Sequence, residues 1–362
     1  MTAATTPASI DELDSAWLTG ALRRSGVINA GELVEITDHE PLTTGTAFAT
    51  KMYRLHLRGA EDCPPTAILK LPVTGEVRDF VDGVGAYTRE VTFYRELATN
   101  VPVNVPRCYV AEISSATTDF VLLLEDLSAL SPGDQLVGLT LEQANAALDD
   151  LARLHAWSWQ HHRLDRLAAQ FPPLDGPIGR AAAAVFARFY TAAWPAARTA
   201  LGDTISTEVA ALAERLPALL PKMIEVLGSP RTVTHGELRA DNIFVGPDGA
   251  LTMIDFQTVG QASGMLDVSY VLSQSLPTAL RRGADETLVR RYVDGLQRAG
   301  VSDYPWDLAW TQYRVGCAYN AVWAVMAHGQ IERLDERGHE LVMEMLNRAC
   351  AAIQDNDSAG LL

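Results

Sequence analysis

The chain has 362 residues, 48% of them hydrophobic, and carries 45 acidic against 29 basic residues for a formal charge of -16. That balance excludes nucleic acid held through its phosphates, because no cationic surplus is available to release counterions, and the hydrophobic share excludes a solvated, coreless chain. Cys63, Cys108, Cys317 and Cys350 stand far apart without CxxC or metal-ligand spacing, which argues for reduced thiols rather than a disulfide framework or zinc site. The first residues lack a basic start before an apolar core, and no run reaches the length of a membrane span. The expectation is a soluble, cytoplasmic protein with no membrane partner.

Residues 10–25 place Ile10, Leu13, Trp17, Leu18, Ala21 and Leu22 at helical spacing behind Ser9, with Glu12 three positions on. This predicts an amphipathic opening helix capped by Ser9. From Leu33 to Leu71 the stretches LVEIT, KMYRLHL and TAILKL, separated by TTGTA and GAEDCPP, predict three strands of an antiparallel sheet. Residues 82–98 return to a 3.6 period, with Tyr87, Val91, Tyr94 and Leu97 on one stripe and Glu90 beside it, and predict a single helix. CYVAEI and the apolar run FVLLL, which stops at Glu125-Asp126, complete a five-stranded sheet.

After Leu127 the segments 140–160, 178–201, 203–227, 265–275, 284–299, 307–328 and 333–354 are rich in Ala and Leu at helical spacing. The exception is Thr232 to Phe256, where TVTH, NIFV and LTMID read as short strands around a Gly246-Pro247-Asp248-Gly249 turn. The fold class is therefore α+β, with a division at residues 1–127 and 128–362.

The stretch HGELRADN, residues 235–242, crowds chemistry into one loop. A hairpin closed by the Gly246–Gly249 turn would return Asp255 to the neighbourhood of Asn242. An amide oxygen and a carboxylate there suit a magnesium ion that keeps waters and borrows phosphate oxygens. Glu237 supplies a second carboxylate on the same loop. A loop acid, an asparagine five residues later and an acid ending the next hairpin strand form the layout of a kinase catalytic loop and its metal-binding aspartate.

HGELRADN resembles the HGDxxxxN motif of the aminoglycoside phosphotransferase and choline kinase superfamily, and IDFQ its metal-binding IDF or IDW segment. ILK with Lys70, Glu90 on the following helix, LLLEDL and LARLHAWSW fall in the expected order. The closer resemblance is to the ecdysteroid-kinase-like branch, carried by YTREVTFYREL, FVLLLEDLSALSPGDQ and MIDFQTVGQASGMLDVSYVLSQSL and spanning nearly the whole chain. It implies a protein-kinase-like two-lobed fold, with a small antiparallel sheet lobe and a larger helical lobe. It further implies ATP with Mg2+ and transfer of the terminal phosphoryl group to a hydroxyl of a small organic molecule; the expected acceptor is a hydroxylated metabolite of largely apolar character.

Carried over residue by residue, Lys70 would hold the inner phosphates and Glu90 would orient it through an ion pair. Asn242 and Asp255 would ligate the metal, Glu237 stands where the acceptor-hydroxyl base is expected, and the backbone from Glu125 to Leu127 would meet the adenine edge. Arg239 occupies a position where many kinases present a cation to the transferred phosphate. Two departures stand out. The phosphate-covering loop has a single glycine, Gly45, leaving Thr44, Thr46 and Ala47 as donors, and Glu237 replaces the aspartate of the motif. The added methylene displaces the carboxylate, and ~1 Å of misplacement can cost on the order of 10²-fold in rate.

Ordinary roles compete for several residues. His235 reads as a loop brace bonded to backbone near Asp255, Asp241 as a solvated acid, His155 as a hydrogen-bonded core histidine and His161-His162 as a helix-end pair without a metal. Asp267 reads as a helix cap or a brace for the loop. One of Trp157 and Trp159 is a candidate for an acceptor-pocket wall, and Trp306, Trp310, Tyr313, Tyr319 and Trp323 are mostly core. Two functions stay open: an active small-molecule kinase, or a kinase-like nucleotide-binding protein in which Glu237 marks lost or repurposed transfer.

Overall fold

The computed structural model describes residues 6–42, 49–59 and 61–362. Thr44 and Thr46, with Gly45 and Ala47, lie outside the described residues. The chain divides into two compact units, one of residues 1–130 with 254–258 and the other of residues 131–253 with 259–362.

The first unit is built on five antiparallel strands in the order β1-β2-β3-β5-β4. These are β1 Val34–Pro41, β2 Thr50–Gly59, β3 Thr66–Pro72, β4 Cys108–Ile113 and β5 Phe120–Glu125. β5 reads as a continuous apolar run because it is an inner strand buried on both faces, Phe120 to Leu124 all being buried. Helix α1, Ser15–Arg24, lays Leu18, Ala21 and Leu22 against Val34, Leu55, Leu69 and Val121 in one hydrophobic cluster.

Two expectations for this unit need correction. The opening helix starts later than predicted: Asp14 accepts from the Trp17 amide at 2.7 Å and is the N-cap, while Ser9 makes no capping bond and Ile10–Glu12 is a separate 3-10 turn. The Asp14 side chain satisfies an open amide of the first helical turn, which Ser9, separated from it by the 3-10 turn, does not. The helix predicted over 82–98 is present but starts later, as α3 Ala86–Glu96, and a separate helix that the sequence did not announce, α2 Glu76–Gly83, precedes it. Gly85, at φ +74, supplies the left-handed residue that separates them.

The second unit opens with β6 Ser131–Pro132 and continues through α4 Leu141–Ser158, α5 Arg163–Leu167, α6 Pro177–Leu201 and α7 Thr207–Leu227. Thr140 and Gln143 form a reciprocal capping box at the start of α4. Next come β7 Thr232–Thr234, β8 Ile243–Val245, β9 Leu251–Met253 and β10 Gly260–Ala262. Then follow α8 Met265–Tyr270, a π-helical stretch Val271–Ser275, α9 Thr278–Arg281, α10 Asp285–Arg298, α11 Trp306–His328 and α12 Glu336–Asp355. Residues of α6, α7, α11 and α12 share one large hydrophobic core. Among the described residues, no helix is long and apolar enough to cross a membrane.

The periodic segments all appear as helices, whereas the short α5, α9 and β10 escaped the sequence reading. β10 is held by pairing with β7, Gly260 opposite Thr234, a long-range partnership that a three-residue segment cannot announce. The predicted hairpin is present, with Ile243 opposite Met253 and Val245 opposite Leu251.

One buried acid in α4 gives a stability test. Burial pushes the Asp150 carboxyl up to about 6, against the pull of Arg153 and with a further push from Asp149. A carboxyl whose folded pKa is raised holds its proton more tightly when folded, so its ionisation costs stability as pH climbs through that range. Asp150→Asn is expected to raise unfolding free energy by up to about 3 kcal/mol at pH 7, with the gain vanishing below pH 4. Chemical denaturation at the two pH values checks it.

Candidate active site

Within the first unit, β3 and α3 present a buried ion pair. Lys70 Nζ lies 2.6 Å from Glu90 Oε1, and both residues are almost fully buried, at 6% and 1% exposure. Lys70 Nζ also reaches Asp255 Oδ1 at 3.3 Å, and the other Asp255 oxygen accepts from Gln257 Nε2 at 3.0 Å. Burial alone would lower the lysine pKa, but the Asp255 and Glu90 carboxylates outweigh it and hold the pKa above its ordinary value. Burial pushes the Glu90 carboxyl up while the Lys70 charge pulls it down.

Asp255 sits at φ +67, a left-handed conformation that a non-glycine residue rarely adopts. Strain of this sort persists where surrounding contacts over-determine the backbone. Here the next residue is locked: Phe256 stacks on Phe93 of α3 with centroids 3.6 Å apart and 7° between planes, and Tyr94 meets it edge-on. Helix α3 thus fixes both Glu90, which holds Lys70, and the segment that carries Asp255.

Glu125 ends β5, where its amide donates to the Arg107 carbonyl and its carboxylate accepts from the Arg107 amide. Leu127 is buried, and its carbonyl accepts from Leu130. Asp126 between them is paired with Arg54 at 2.8 Å.

Within the second unit, HGELRADN runs from the end of β7 to β8 and is held from beneath by two sets of side chains. The first centres on Asp267 of α8, which is fully buried. It accepts from the His235 amide at 2.7 Å, the Gly236 amide at 2.8 Å and, on its His155 side, Nε2 at 3.1 Å. His155 Nδ1 in turn meets the Tyr292 hydroxyl at 2.7 Å. A Cβ at Gly264 would collide with both Tyr292 and His155, so this close packing requires a glycine. Asp267 is therefore a loop brace, and the helix-cap alternative falls away because Gly264 holds that position.

The second set centres on Gln135, in the strap after β6. Its backbone amide donates to Asp241 at 2.8 Å, and its side-chain oxygen accepts from the Ala240 amide at 2.8 Å and from Ser275 at 3.1 Å. Buried Arg348 of α12 binds the Gln135, Gln274 and Leu136 carbonyls. A side chain at Gly133 would strike the Ala240 carbonyl. Asp241 corrects the expectation of a solvated acid, since both of its oxygens accept hydrogen bonds, from Gln135 and from Arg239 Nη2 at 2.6 Å.

Arg239 is itself largely buried. Burial works against its charge, but Glu237 and Asp241 outweigh that and raise its pKa. Asn242 donates Nδ2 to the Glu237 carbonyl at 2.9 Å, which leaves its side-chain oxygen as the atom suited to a hard cation. His235 Nδ1 accepts from the Glu237 amide at 3.3 Å. Among the described residues no three His, Cys, Asp or Glu side chains gather as a metal site, and His161 and His162 pack ring to ring at 4.2 Å.

The aromatic residues of α11 are committed to packing. Trp306 stacks on Trp310 beneath the Arg290 guanidinium, Tyr313 and Tyr319 are buried, and Trp323 meets Phe186. Trp159 binds Asp303 through its indole nitrogen and packs edge-on against Tyr304. Gln135, Ser275 and Arg348 carried no sequence signal of a role, because each acts through a fold-level contact more than 30 positions from the loop or through a backbone atom.

The sequence model described as the ecdysteroid kinase-like family matches residues 44–300. None of the curated proteins matches the chain. Among solved structures, the chain is similar to choline kinase from Cryptosporidium parvum Iowa II, at 12% identity and TM-score 0.57, covering 96% of this chain and 98% of that one. It is similar to choline kinase LicA from Streptococcus pneumoniae, at 13% identity and TM-score 0.52, over 90% and 94%. Spectinomycin phosphotransferase in complex with ADP and spectinomycin aligns at 11% identity and TM-score 0.53, over 97% and 99%. At these identities the likeness is one of fold.

Proposed function

We propose that this chain, which belongs to the ecdysteroid kinase-like family, is an ATP-dependent phosphotransferase that moves the terminal phosphoryl group of ATP to a hydroxyl of a small organic molecule. The observation that carries the reading is the buried Lys70–Glu90 pair with Asp255 against the same ammonium. A lysine with two carboxylates at this depth is costly to build for stability alone. It is well suited to hold phosphate oxygens when a nucleotide enters and Asp255 turns to a cation. The ADP complex of the spectinomycin enzyme supports a nucleotide on this fold.

Lys70 would bind the inner phosphates, with Glu90 keeping its ammonium aimed and charged. Asn242 and Asp255 would hold magnesium, each offering a hard oxygen; Asn242 is oriented for this by its bond to the Glu237 carbonyl. The bound ion would neutralise phosphate charge as the phosphoryl group moves. Glu237 would accept the proton of the acceptor hydroxyl. Arg239 would keep the loop's charge balanced and present donors to the transferred group, and the backbone at Glu125 and Leu127 would frame the adenine. Thr44 and Thr46 remain proposed phosphate donors.

Phosphoryl transfer depends more on position and charge than on the base, so a glutamate at 237 is compatible with turnover. A screen for ADP formation across alcohols, with the parent, Glu237→Asp and Asp255→Ala, tests the reading. Activity in the parent, retained or raised in Glu237→Asp and lost in Asp255→Ala, is the expected pattern. MgATP binding without phosphorylated product from either the parent or Glu237→Asp would favour a protein that binds nucleotide without transferring phosphate.

A further inference from the structure

Tyr270, the last residue of α8, is fully buried, and its hydroxyl has no hydrogen-bond partner of ordinary geometry. Leaving a buried hydroxyl unpaired costs about 1–3 kcal/mol, so a partner is expected within small movement. Tyr270 lies one helical turn after Asp267, on the same side of α8. Asp267 grips the His235 and Gly236 amides, so this side of α8 lies against the start of the loop.

The charged groups acting on the phenol are Glu237, Arg239 and Asp241. Arg239 has no acceptor. Asp241 already uses one oxygen for the Gln135 amide and the other for Arg239. Of the three, the Glu237 carboxylate is the acceptor that fits the phenol. Burial pushes the phenol well above its ordinary pKa, and Glu237 pushes it further, so the hydroxyl keeps its proton and is a donor at neutral pH.

We propose that Tyr270 is a positioning residue for Glu237, its hydroxyl donating to the carboxylate and fixing the longer acid where the motif carries aspartate. An aspartate at 237 would end one methylene short of the phenol, so the pairing belongs to the glutamate. The added methylene is then held by a partner rather than left mobile. The inference rests on the phosphotransferase reading for its consequence, though not for the contact itself.

The test uses the full chain with [ζ-13C]tyrosine, assigning Tyr270 by the signal lost in Tyr270→Phe. Glu237→Asp is expected to move the Tyr270 resonance upfield as the hydrogen bond is lost. With MgATP and the best alcohol acceptor, or water where none is better, Tyr270→Phe should lower kcat about 10-fold with KM for MgATP unchanged. In the Glu237→Asp background the same change should have no further effect. A resonance that Glu237→Asp leaves in place overturns the proposal. So does a Tyr270→Phe penalty equal in both backgrounds, which would mark the ring as packing only. If the parent turns over no acceptor, the phosphotransferase reading fails while the resonance still decides the contact.

Discussion

Lys70→Met is expected to destabilise the first unit by about 3–5 kcal/mol, because removing one partner of a buried pair strands the other. The stranded groups are Glu90, at 1% exposure, and Asp255, whose charge already opposes ionisation of Glu90. Without the ammonium, the folded pKa of Glu90 rises further. A carboxyl raised in the folded state takes up a proton on folding, so the deficit should shrink as pH falls and be fully expressed above neutrality. Methionine keeps most of the stem volume, so lost packing contributes little. Denaturant unfolding from pH 5 to pH 8 reads both the deficit and its slope. A loss below 1 kcal/mol, or one independent of pH, would show that the pair is not electrostatically coupled.

Asp267→Ala should have the second large effect, and by a different route. Three donors lose their acceptor at once, the His235 and Gly236 amides and His155 Nε2, at a site with no exposure. Each stranded donor costs about 1–3 kcal/mol, and the loop start is released from α8. Turnover should fall on the order of 10²-fold if the loop acid moves by ~1 Å. Asp267→Asn keeps one acceptor oxygen and should lie between. Hydrogen exchange of the His235 and Gly236 amides reports the contact directly; unchanged protection in Asp267→Ala would contradict this role.

The residues that carry local signals were legible in the sequence. Lys70 and Glu90 fall on a strand and a helix whose periods are strong, and the structure joins them at 2.6 Å. The turn residues Gly246 to Gly249 announced the hairpin whose register sets Ile243 opposite Met253. What stayed hidden depends on distance along the chain. Gln135 reaches Ala240 across 105 positions and Arg348 reaches Gln135 across 213, and nothing in a one-dimensional pattern encodes such contacts. Asp241 looked solvated because adjacent charges usually are, yet a backbone amide and its own neighbour claim both oxygens. The left-handed Asp255 is likewise invisible, since aspartate is one of several residues that tolerate that geometry.

The candidate site residues divide into a lysine held by a buried acid and a loop held by buried braces, an arrangement that fixes orientation. That is what a phosphoryl transfer with a loose transition state requires. It also explains how the motif aspartate can become Glu237 without dismantling the surroundings: Asp267, His235, Gln135 and Asn242 hold the loop through its backbone, so the loop's course does not depend on the length of the acid at 237.

The most direct test of the phosphotransferase reading is a 31P spectrum of the parent protein incubated with MgATP and a mixture of hydroxylated small molecules, beside Asp255→Ala. A new phosphomonoester signal growing at the expense of the ATP γ-phosphorus in the parent, and absent with Asp255→Ala, is the predicted result. Unchanged ATP, or inorganic phosphate as the sole product across the mixture, would contradict it.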